Sequence, residues 1–172
     1  MRIISGKFKG KSIHFIKSKV TRPLRDMVKE NIFNILSHSS NISVKIDSSN
    51  VLDLYSGVGS FGLECISREA NQVTFVENND VALNLLKKNI KKLSINQKVK
   101  IFSDKIESLK IWNENEKYNI FFLDPPYADK SFIQNLKIIK EKKIYKKNHI
   151  LIIHRERKTN KPYIFIFCWT CQ

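Results

Sequence analysis

The stretch VLDLYSGVGSFG, residues 51–62, combines an apolar run with an acidic residue and three glycines. Its G-x-G-x-x-G spacing is typical of a turn that binds a dinucleotide, and Glu77 lies twenty residues after Gly57. Glycine permits positive φ angles and lets a ligand approach the backbone closely. Because ordinary strand–helix turns show the same spacing, the pattern by itself indicates a ligand site without identifying the ligand.

Acidic residues around this turn indicate the charge of the ligand. Asp53 precedes the turn, Glu77 ends the next apolar run, and Asp104 follows the one after that. A carboxylate disfavours a neighbouring pyrophosphate and favours a cation. S-adenosylmethionine (SAM) carries an ammonium and a sulfonium, and its ribose diol and adenine amine both need hydrogen-bond acceptors. We therefore expect SAM rather than NAD, with a helix N-cap as the alternative role of Asp104.

The stretch NIFFLDPPY, residues 119–127, ends an apolar run in an acid, two prolines and an aromatic ring. Proline cannot donate to a sheet ladder, so a strand must stop there. An exocyclic amine has two N–H donors, which the Asp124 carboxylate and the Pro125 carbonyl could accept, while Tyr127 offers a stacking face. Pro126 completes a pair that fixes the backbone. The stretch predicts binding of a flipped-out or single-stranded base for N-methylation; the alternative is a simple strand stop.

The elements that position these stretches follow from hydrophobic periodicity. Short apolar runs alternate with helical repeats from residue 51 onward, which predicts a mostly parallel sheet with helices on both faces. Ligands of such a sheet bind beyond the carboxyl ends of the strands, at the switch point in strand order. Strands are predicted at 51–55, 73–76, 99–102, 119–123 and 149–154, and helices at 60–70, 80–93, 107–112 and 131–144. Asp80 is the candidate cap of the second of these helices.

The residues before this repeat predict a small basic extension. Residues 1–20 alternate loosely between apolar residues and lysine, which is typical of a β-hairpin or arm. A helix follows, with Asp26 or Thr21 as its cap. Residues 37–50 are rich in serine and asparagine and are predicted to be a linker.

Length and charge limit the class of protein. A chain of 172 residues with 42% hydrophobic residues predicts one domain with a buried core. The formal charge is +15, and residues 1–30 contribute nine basic and two acidic residues, or +7. This excess favours a polyanionic partner such as nucleic acid. The alternative explanation is an AT-rich coding sequence, which enriches lysine without selection for binding. In agreement with it, 25 of the 31 basic residues are lysine.

The same composition indicates a cytoplasmic protein. No stretch reaches the roughly 20 apolar residues of a membrane span, and the first residues lack the apolar core of a secretory signal. Three cysteines do not form a disulfide framework, and the single C-x-x-C at 168–171 is interpreted as incidental. The four histidines show no metal-ligand spacing, and His149 and His154 are expected to be structural.

Five stretches together resemble the bacterial 16S ribosomal RNA guanine-N2 methyltransferase family of the class I SAM-dependent superfamily, through about residue 155. They are RIISGKFKGKSI, TRPLRDMVKENIFNIL, VLDLYSGVGSFGLECISR, FVE and FFLDPPY. The glycine turn is general to the superfamily, and DPPY is shared by adenine-N6 and guanine-N2 enzymes. The basic N-terminal stretches are the specific part of the resemblance.

This resemblance implies a Rossmann-like α/β fold of seven strands, SAM as methyl donor and a guanine of 16S rRNA as acceptor. The target base would be bound by Asp124, Pro125, Pro126 and Tyr127. The cofactor would be bound by Asp53, Tyr55, Gly57, Gly59, Glu77, Asn78, Asp104 and Lys105. RNA phosphates would be contacted by Arg2, Lys7, Lys9, Lys11, Arg22 and Arg25.

The sequence departs from the family pattern at three places. Leu24 stands where the family usually has threonine, and Lys105 stands where it has a small residue. After Lys158 the remaining residues fit one strand, whereas the family ends in a β-hairpin. We therefore expect a shortened C-terminal hairpin.

We expect a single methyltransferase domain over residues 1–172, with a basic arm and helix at 1–40 and a SAM-binding core at 50–172. It would act in the cytoplasm as a monomer, without a metal, on 16S rRNA or a partly assembled small ribosomal subunit. The alternatives are an adenine-N6 methyltransferase on DNA or RNA, and a non-catalytic RNA-binding assembly factor with the same fold. Asp53 and the absence of a second substrate domain argue against an NAD-dependent oxidoreductase.

Overall fold

The computed structural model describes residues 1–15, 24, 26–104, 116–126, 128–156 and 162–167. The predicted helix at 107–112 and the C-x-x-C at 168–171 lie outside this part of the chain. The helices are α1 (Asp26–His38), α2 (Ser60–Ser67), α3 (Asp80–Leu93) and α4 (Phe132–Glu141). The strands are β1 (Asn50–Leu54), β2 (Gln72–Val76), β3 (Val99–Phe102), β4 (Tyr118–Leu123), β5 (Tyr145–Glu156) and β6 (Pro162–Phe167).

The strands form one sheet in the order β3-β2-β1-β4-β5-β6. Strands β1 to β5 pair in parallel, and β6 pairs antiparallel with β5. The mostly parallel sheet is therefore confirmed. The described residues supply six strands, against the seven that the resemblance implies. Residues 162–167 return as a single strand beside β5, as expected for a shortened hairpin.

Alternate residues of the central strands pack on opposite faces of the sheet, as the twofold repeat of a strand requires. Val51 and Phe122 belong to a core shared with α1, α2, α3 and the N-terminal residues. Leu52 and Phe121 belong to a second core, in which Ile139 of α4 is buried. The prediction of helices on both faces is confirmed.

Two local predictions differ from the structure. Asn79, rather than Asp80, caps α3, because its backbone is extended and its side chain accepts a hydrogen bond from the Ala82 amide at 3.0 Å. The segment predicted as a linker contributes Val44 and Ile46 to the first core. Its apolar residues are therefore packed against the body of the protein.

Residues 1–15 form an arm that lies against α2 and α3. Their strand character is limited to one antiparallel bridge between Arg2 and Ser12, so the predicted hairpin is reduced to a tight loop. Ile3 and Ile13 are buried in the first core. The Lys7 amide donates to the carbonyl of Ser67, the last residue of α2, at 2.7 Å.

A buried ion cluster anchors this arm. The Glu64 carboxylate in α2 accepts hydrogen bonds from the amides of Ile4 and Ser5 at 2.8 and 2.9 Å. It also lies 3.0 Å from Arg68 Nε and 3.6 Å from Lys29 Nζ. Burial lowers the pKa of Lys29, and the opposite charge of Glu64 offsets part of that effect.

Lys29 also connects the arm to α1. Its ammonium donates to the Arg2 carbonyl at 2.7 Å, and its side chain is fully buried. Because each buried charge in the cluster has a partner, the arm is fixed in one position by several coupled contacts.

We predict that Lys29→Met lowers the free energy of unfolding by about 3 kcal/mol, because it leaves Glu64 buried with one cation fewer. Urea denaturation would measure the change, and limited proteolysis would show earlier cleavage within residues 1–15. Lys45→Met is the control, since Lys45 is exposed. Equal stability of the two variants would contradict the anchoring role of Lys29.

Candidate active site

The strand order changes direction between β1 and β4, which lie side by side at the centre of the sheet. Leu54 at the end of β1 is paired with Leu123 at the end of β4. The glycine turn follows the first strand and Asp124 follows the second, so both open on the same crevice. A switch point of this kind is where α/β sheets bind their ligands.

The turn after β1 contains three residues with left-handed backbone: Tyr55 (φ 60°), Gly57 (φ 56°) and Gly59 (φ 87°). A Cβ on Gly59 would lie 2.5 Å from a methyl carbon of Leu86, so this glycine allows α3 to pack closely. A Cβ on Gly57 would meet no atom within 4 Å. Gly57 therefore borders open space that a ligand can approach.

Glu77, at the end of β2, is joined to this turn. One carboxylate oxygen accepts the Gly57 amide at 2.7 Å, and the other accepts the Asn79 amide at 2.8 Å. Each oxygen can accept a further hydrogen bond. The predicted juxtaposition of Glu77 with the glycine turn is thus present in the structure.

Asp53 lies beneath the turn and is only 1% exposed. One oxygen accepts the Gly62 amide at 3.0 Å, and within the described residues the other oxygen has no hydrogen-bond partner. Burial raises the pKa of Asp53 well above its usual range, and the charges of Asp124 and Glu77 raise it further. The three carboxylates therefore share one electrostatic environment, although Asp53 supports the turn from below; its contact with a cofactor stays a prediction.

Asp124 is half-buried and is paired with a histidine that the sequence analysis expected to be structural. Its Oδ1 lies 2.8 Å from Nδ1 of His154, near the end of β5. The strand register explains this contact, since Leu123 pairs with Ile153 and the next residues follow in step. Parallel pairing of the two apolar runs is the signal that could have placed His154 at this site.

Arg155 holds the backbone after Asp124. Its guanidinium donates to the Pro126 carbonyl at 3.0 Å and lies 3.4 Å from the Pro125 carbonyl. It also lies over the Phe132 ring, 5.0 Å from the centroid. A carbonyl oxygen has two lone pairs, so the Pro125 carbonyl remains able to accept from a substrate amine.

Tyr55 connects the glycine turn to the start of α4. Its hydroxyl accepts from Asn135 Nδ2 at 2.8 Å and lies 3.3 Å from the Ser131 hydroxyl. Burial would raise the pKa of Asp129, but hydrogen bonds from Ser131 and Tyr55 lower it overall. Tyr55, predicted as a cofactor residue, is therefore seen as a link between the two sides of the crevice.

Of the remaining predicted site residues, some are exposed and others lie outside the described part of the chain. Asn78 and Asp104 are exposed beyond the ends of β2 and β3. Four predicted site residues lie outside the described part of the chain: Arg22, Arg25, Lys105 and Tyr127.

The arm presents exposed cations along the outside of the protein beside α2. Exposed positions are occupied by Arg2, Lys7, Lys9 and Lys11. The Lys7 and Lys11 ammoniums lie 5.9 and 5.0 Å from the centroid of the Phe8 ring. The Ser60 hydroxyl at the start of α2 contacts the Met1 sulfur at 3.2 Å. The arm thus packs on the face of the sheet that carries α2, with Met1 near the start of the helix and Lys7 near its end.

A cavity of about 300 Å³ lies at the opposite, amino-terminal edge of the sheet. Its lining residues are Asn50, Gln72, Glu116, Lys117, Tyr118 and Lys146. Because parallel sheets bind ligands at their carboxyl edge, this cavity is not a candidate for the active site.

In the described part of the chain, every helix is too short or too polar to cross a membrane.

The sequence matches a known family over nearly its whole length. The model of the family described as conserved hypothetical protein 95 matches residues 1–169. The chain belongs to this family. It is 33% identical over 172 residues to ribosomal RNA small subunit methyltransferase D of Haemophilus influenzae, covering 99% of this chain and 85% of that relative.

A second relative and a solved structure support the relationship. Ribosomal RNA small subunit methyltransferase D of Buchnera aphidicola subsp. Baizongia pistaciae is 35% identical over 161 residues, which are 94% of this chain and 79% of that protein. The solved structure of the methyltransferase candidate yhhF from Escherichia coli has a TM-score of 0.76 at 24% identity, over 95% of this chain and 84% of that one. The predicted resemblance and the Rossmann-like class I methyltransferase fold are confirmed.

We predict that Asp53→Asn becomes more stable relative to the wild type as pH rises. The raised pKa of Asp53 means that the folded protein holds this proton more tightly than the unfolded chain, so wild-type stability falls as pH rises from about 4 through the folded pKa. Asparagine does not titrate and can still accept from the Gly62 amide.

Urea denaturation at pH 5 and pH 8 would measure this effect. The difference in unfolding free energy between Asp53→Asn and wild type should shift by about 1 kcal/mol or more in favour of the variant. Asp47→Asn is the exposed control and should show no shift. A pH-independent difference for Asp53→Asn would contradict a raised pKa.

Proposed function

We propose that this protein transfers a methyl group from SAM to the exocyclic N2 amine of a guanine in 16S ribosomal RNA. The observation that carries the proposal is the convergence of the glycine turn and Asp124 at one switch point of the sheet. The family relationship supports methylation of small-subunit RNA, because relatives over nearly the whole chain are named for that activity.

The residues around the glycine turn fit SAM. Glu77 keeps one acceptor site on each oxygen, enough for the two hydroxyls of a ribose. Gly57 leaves room for the methionine portion beside the turn, and the carboxylate of Glu77, which holds the turn, suits a sulfonium. We assign the adenine to the adjoining edge, at Asn78, Asp104 and Lys105.

The residues after β4 fit a nucleobase. We assign the acceptance of the two amine hydrogens to Asp124 and the Pro125 carbonyl, and stacking of the base to Tyr127. Pro126 fixes the backbone between them, and Arg155 holds its carbonyl from the other side. Because Asp124 and the Pro125 carbonyl are held by His154 and Arg155 before the base arrives, their part of binding costs little conformational entropy.

Bound SAM would supply an electrophilic methyl group, which transfers to the amine nitrogen while its former bonding electrons stay on sulfur. The guanine amine is barely basic, so positive charge builds on nitrogen until one of its protons passes to water. The Asp124 carboxylate stabilises that charge through its hydrogen bond to the amine. The protein's other contribution to the rate is that this segment positions the amine for methyl transfer.

The arm would hold the RNA. Arg2, Lys7, Lys9 and Lys11 are exposed on an arm that packs on the face carrying α2, and Arg22 and Arg25 continue the basic sequence. Each phosphate neutralised by such a residue releases counterions. We propose that arm and core act as one catalytic unit, in the cytoplasm and as a monomer, on rRNA or a partly assembled small subunit.

We predict that Asp124→Ala lowers kcat for methyl transfer onto 30S subunits by about 100-fold or more, because the acceptor that stabilises the transition state is lost. Transfer of a tritiated methyl group would measure kcat, and calorimetric titration should show an unchanged Kd for SAM. Asp47→Ala, at an exposed position, is the control. Equal loss of SAM binding and turnover would contradict the assigned role.

Nucleoside analysis of the wild-type product tests the acceptor atom. N2-methylguanosine is the expected product. N6-methyladenosine would identify an adenine-N6 enzyme. In calorimetric titration, tight binding of RNA with no heat on addition of SAM would identify a non-catalytic binding protein.

We predict that the triple variant Lys7→Ala, Lys9→Ala, Lys11→Ala binds 16S rRNA more weakly and with less dependence on salt. Loss of three phosphate contacts should reduce the slope of log K against log salt by about 2. Filter binding across a salt series would measure the slope. The matched control removes the exposed lysines 137, 140 and 142 around α4, on the other face of the sheet. Equal slopes for the two triple variants would contradict RNA binding by the arm.

A further inference from the structure

The end of β5 contacts the segment after β4 from two sides. His154 contacts the Asp124 side chain, and Arg155 contacts the Pro125 and Pro126 carbonyls. Successive residues of a strand point to opposite faces, so the two contacts hold the segment on both faces. The family resemblance drew no attention to either residue.

The hydrogen-bonding chemistry defines the proton on the His154 ring. An ionised carboxylate only accepts hydrogen bonds, so the contact of 2.8 Å between Asp124 Oδ1 and His154 Nδ1 requires a proton on Nδ1. Nε2 is buried and has no hydrogen-bond partner within the described residues. A charged ring would bury an unpaired N–H donor at Nε2, which is costly. The neutral ring with its proton on Nδ1 therefore fits this site best.

This arrangement divides the two oxygens of Asp124 between two tasks. His154 binds Oδ1 and fixes the rotation of the carboxylate, and Oδ2 can accept hydrogen bonds from another donor. Because the neutral ring adds no positive charge, Asp124 keeps its full negative charge for the amine. The ring itself is 8% exposed, so packing of the surrounding core fixes its orientation.

We infer that His154 is a positioning residue for methyl transfer, which orients the Asp124 carboxylate towards the substrate amine through its Nδ1–H donor. The inference rests on the proposed function, since it assigns the orientation of the acceptor in that reaction. His154 acts through Asp124 and does not contact the base.

Two substitutions separate orientation from packing. His154→Leu fills the space but removes the donor, and we expect kcat to fall by about 10- to 100-fold with KM for SAM and for RNA unchanged. His154→Asn keeps an N–H donor near the position of Nδ1, and we expect kcat within about threefold of the wild type. Wild-type kcat in His154→Leu, or equal loss in both variants, would overturn the inference.

His149→Asn is the matched control, because His149 is also buried in β5 and its Nδ1 lies 2.8 Å from the Lys146 carbonyl, away from the crevice. Its kcat should equal that of the wild type. Loss of kcat in this variant equal to that in His154→Leu would assign the effect to strand packing and overturn the inference.

Nitrogen-15 NMR of the wild-type protein tests the pair without any assay of activity. Two-bond proton–nitrogen correlations should show His154 protonated at Nδ1 and bare at Nε2, and Asp124→Ala should change this signature. A proton on Nε2 alone would overturn the inference even if the enzyme is active. Absence of methyl transfer by the wild type, with the Nδ1 proton present, would instead reject the proposed function and leave the pair in place.

Discussion

The parallel pairing of β1 with β4 is the constraint on which the site depends. After β1 the chain continues to β2 on one side of the sheet, and after β4 it continues to β5 on the other side. Because β1 and β4 are neighbours, a crevice forms where both strands end. One strand continues into a turn whose Gly57 amide is held by Glu77, and the other continues into Asp124. The sheet hydrogen bonds between β1 and β4 by themselves fix the separation of these two stretches.

Helix α2 connects this crevice to the basic arm. It begins at the glycine turn, where Asp53 accepts the Gly62 amide, and it ends at Ser67, whose carbonyl accepts the Lys7 amide. In its middle, Glu64 anchors the arm with two amides and two cations. The buried charge of Glu64 is fully paired, whereas Asp53 keeps an unpartnered oxygen among the described residues. The unpartnered carboxylate oxygen therefore lies beneath the glycine turn, whereas the carboxylate beside the arm is paired.

Sequence patterns predicted the strands and the positions of Glu77 and Asp124 well, because hydrophobic periodicity and chain order determine where strands end in a parallel sheet. They did not predict that Asp53 lies beneath the turn, since spacing does not say which side of a strand is covered by a helix. The contact between His154 and Asp124 was missed because the histidine lies 30 residues away and depends on strand register. Burial of Lys29 was not predicted, because lysine is almost never fully buried unless it is paired. Its pairing with Glu64 depends on how α1 packs against α2.

The sequence by itself determined the alternation of strands and helices, the excess of positive charge, and the residue types at the ends of β1, β2 and β4. These depend on local properties such as hydrophobic period, glycine and proline geometry, and composition. Only the tertiary structure decided which of these residues are buried and support the backbone and which border the crevice. That distinction depends on hydrogen bonds and burial between segments far apart in the chain, which local pattern does not encode.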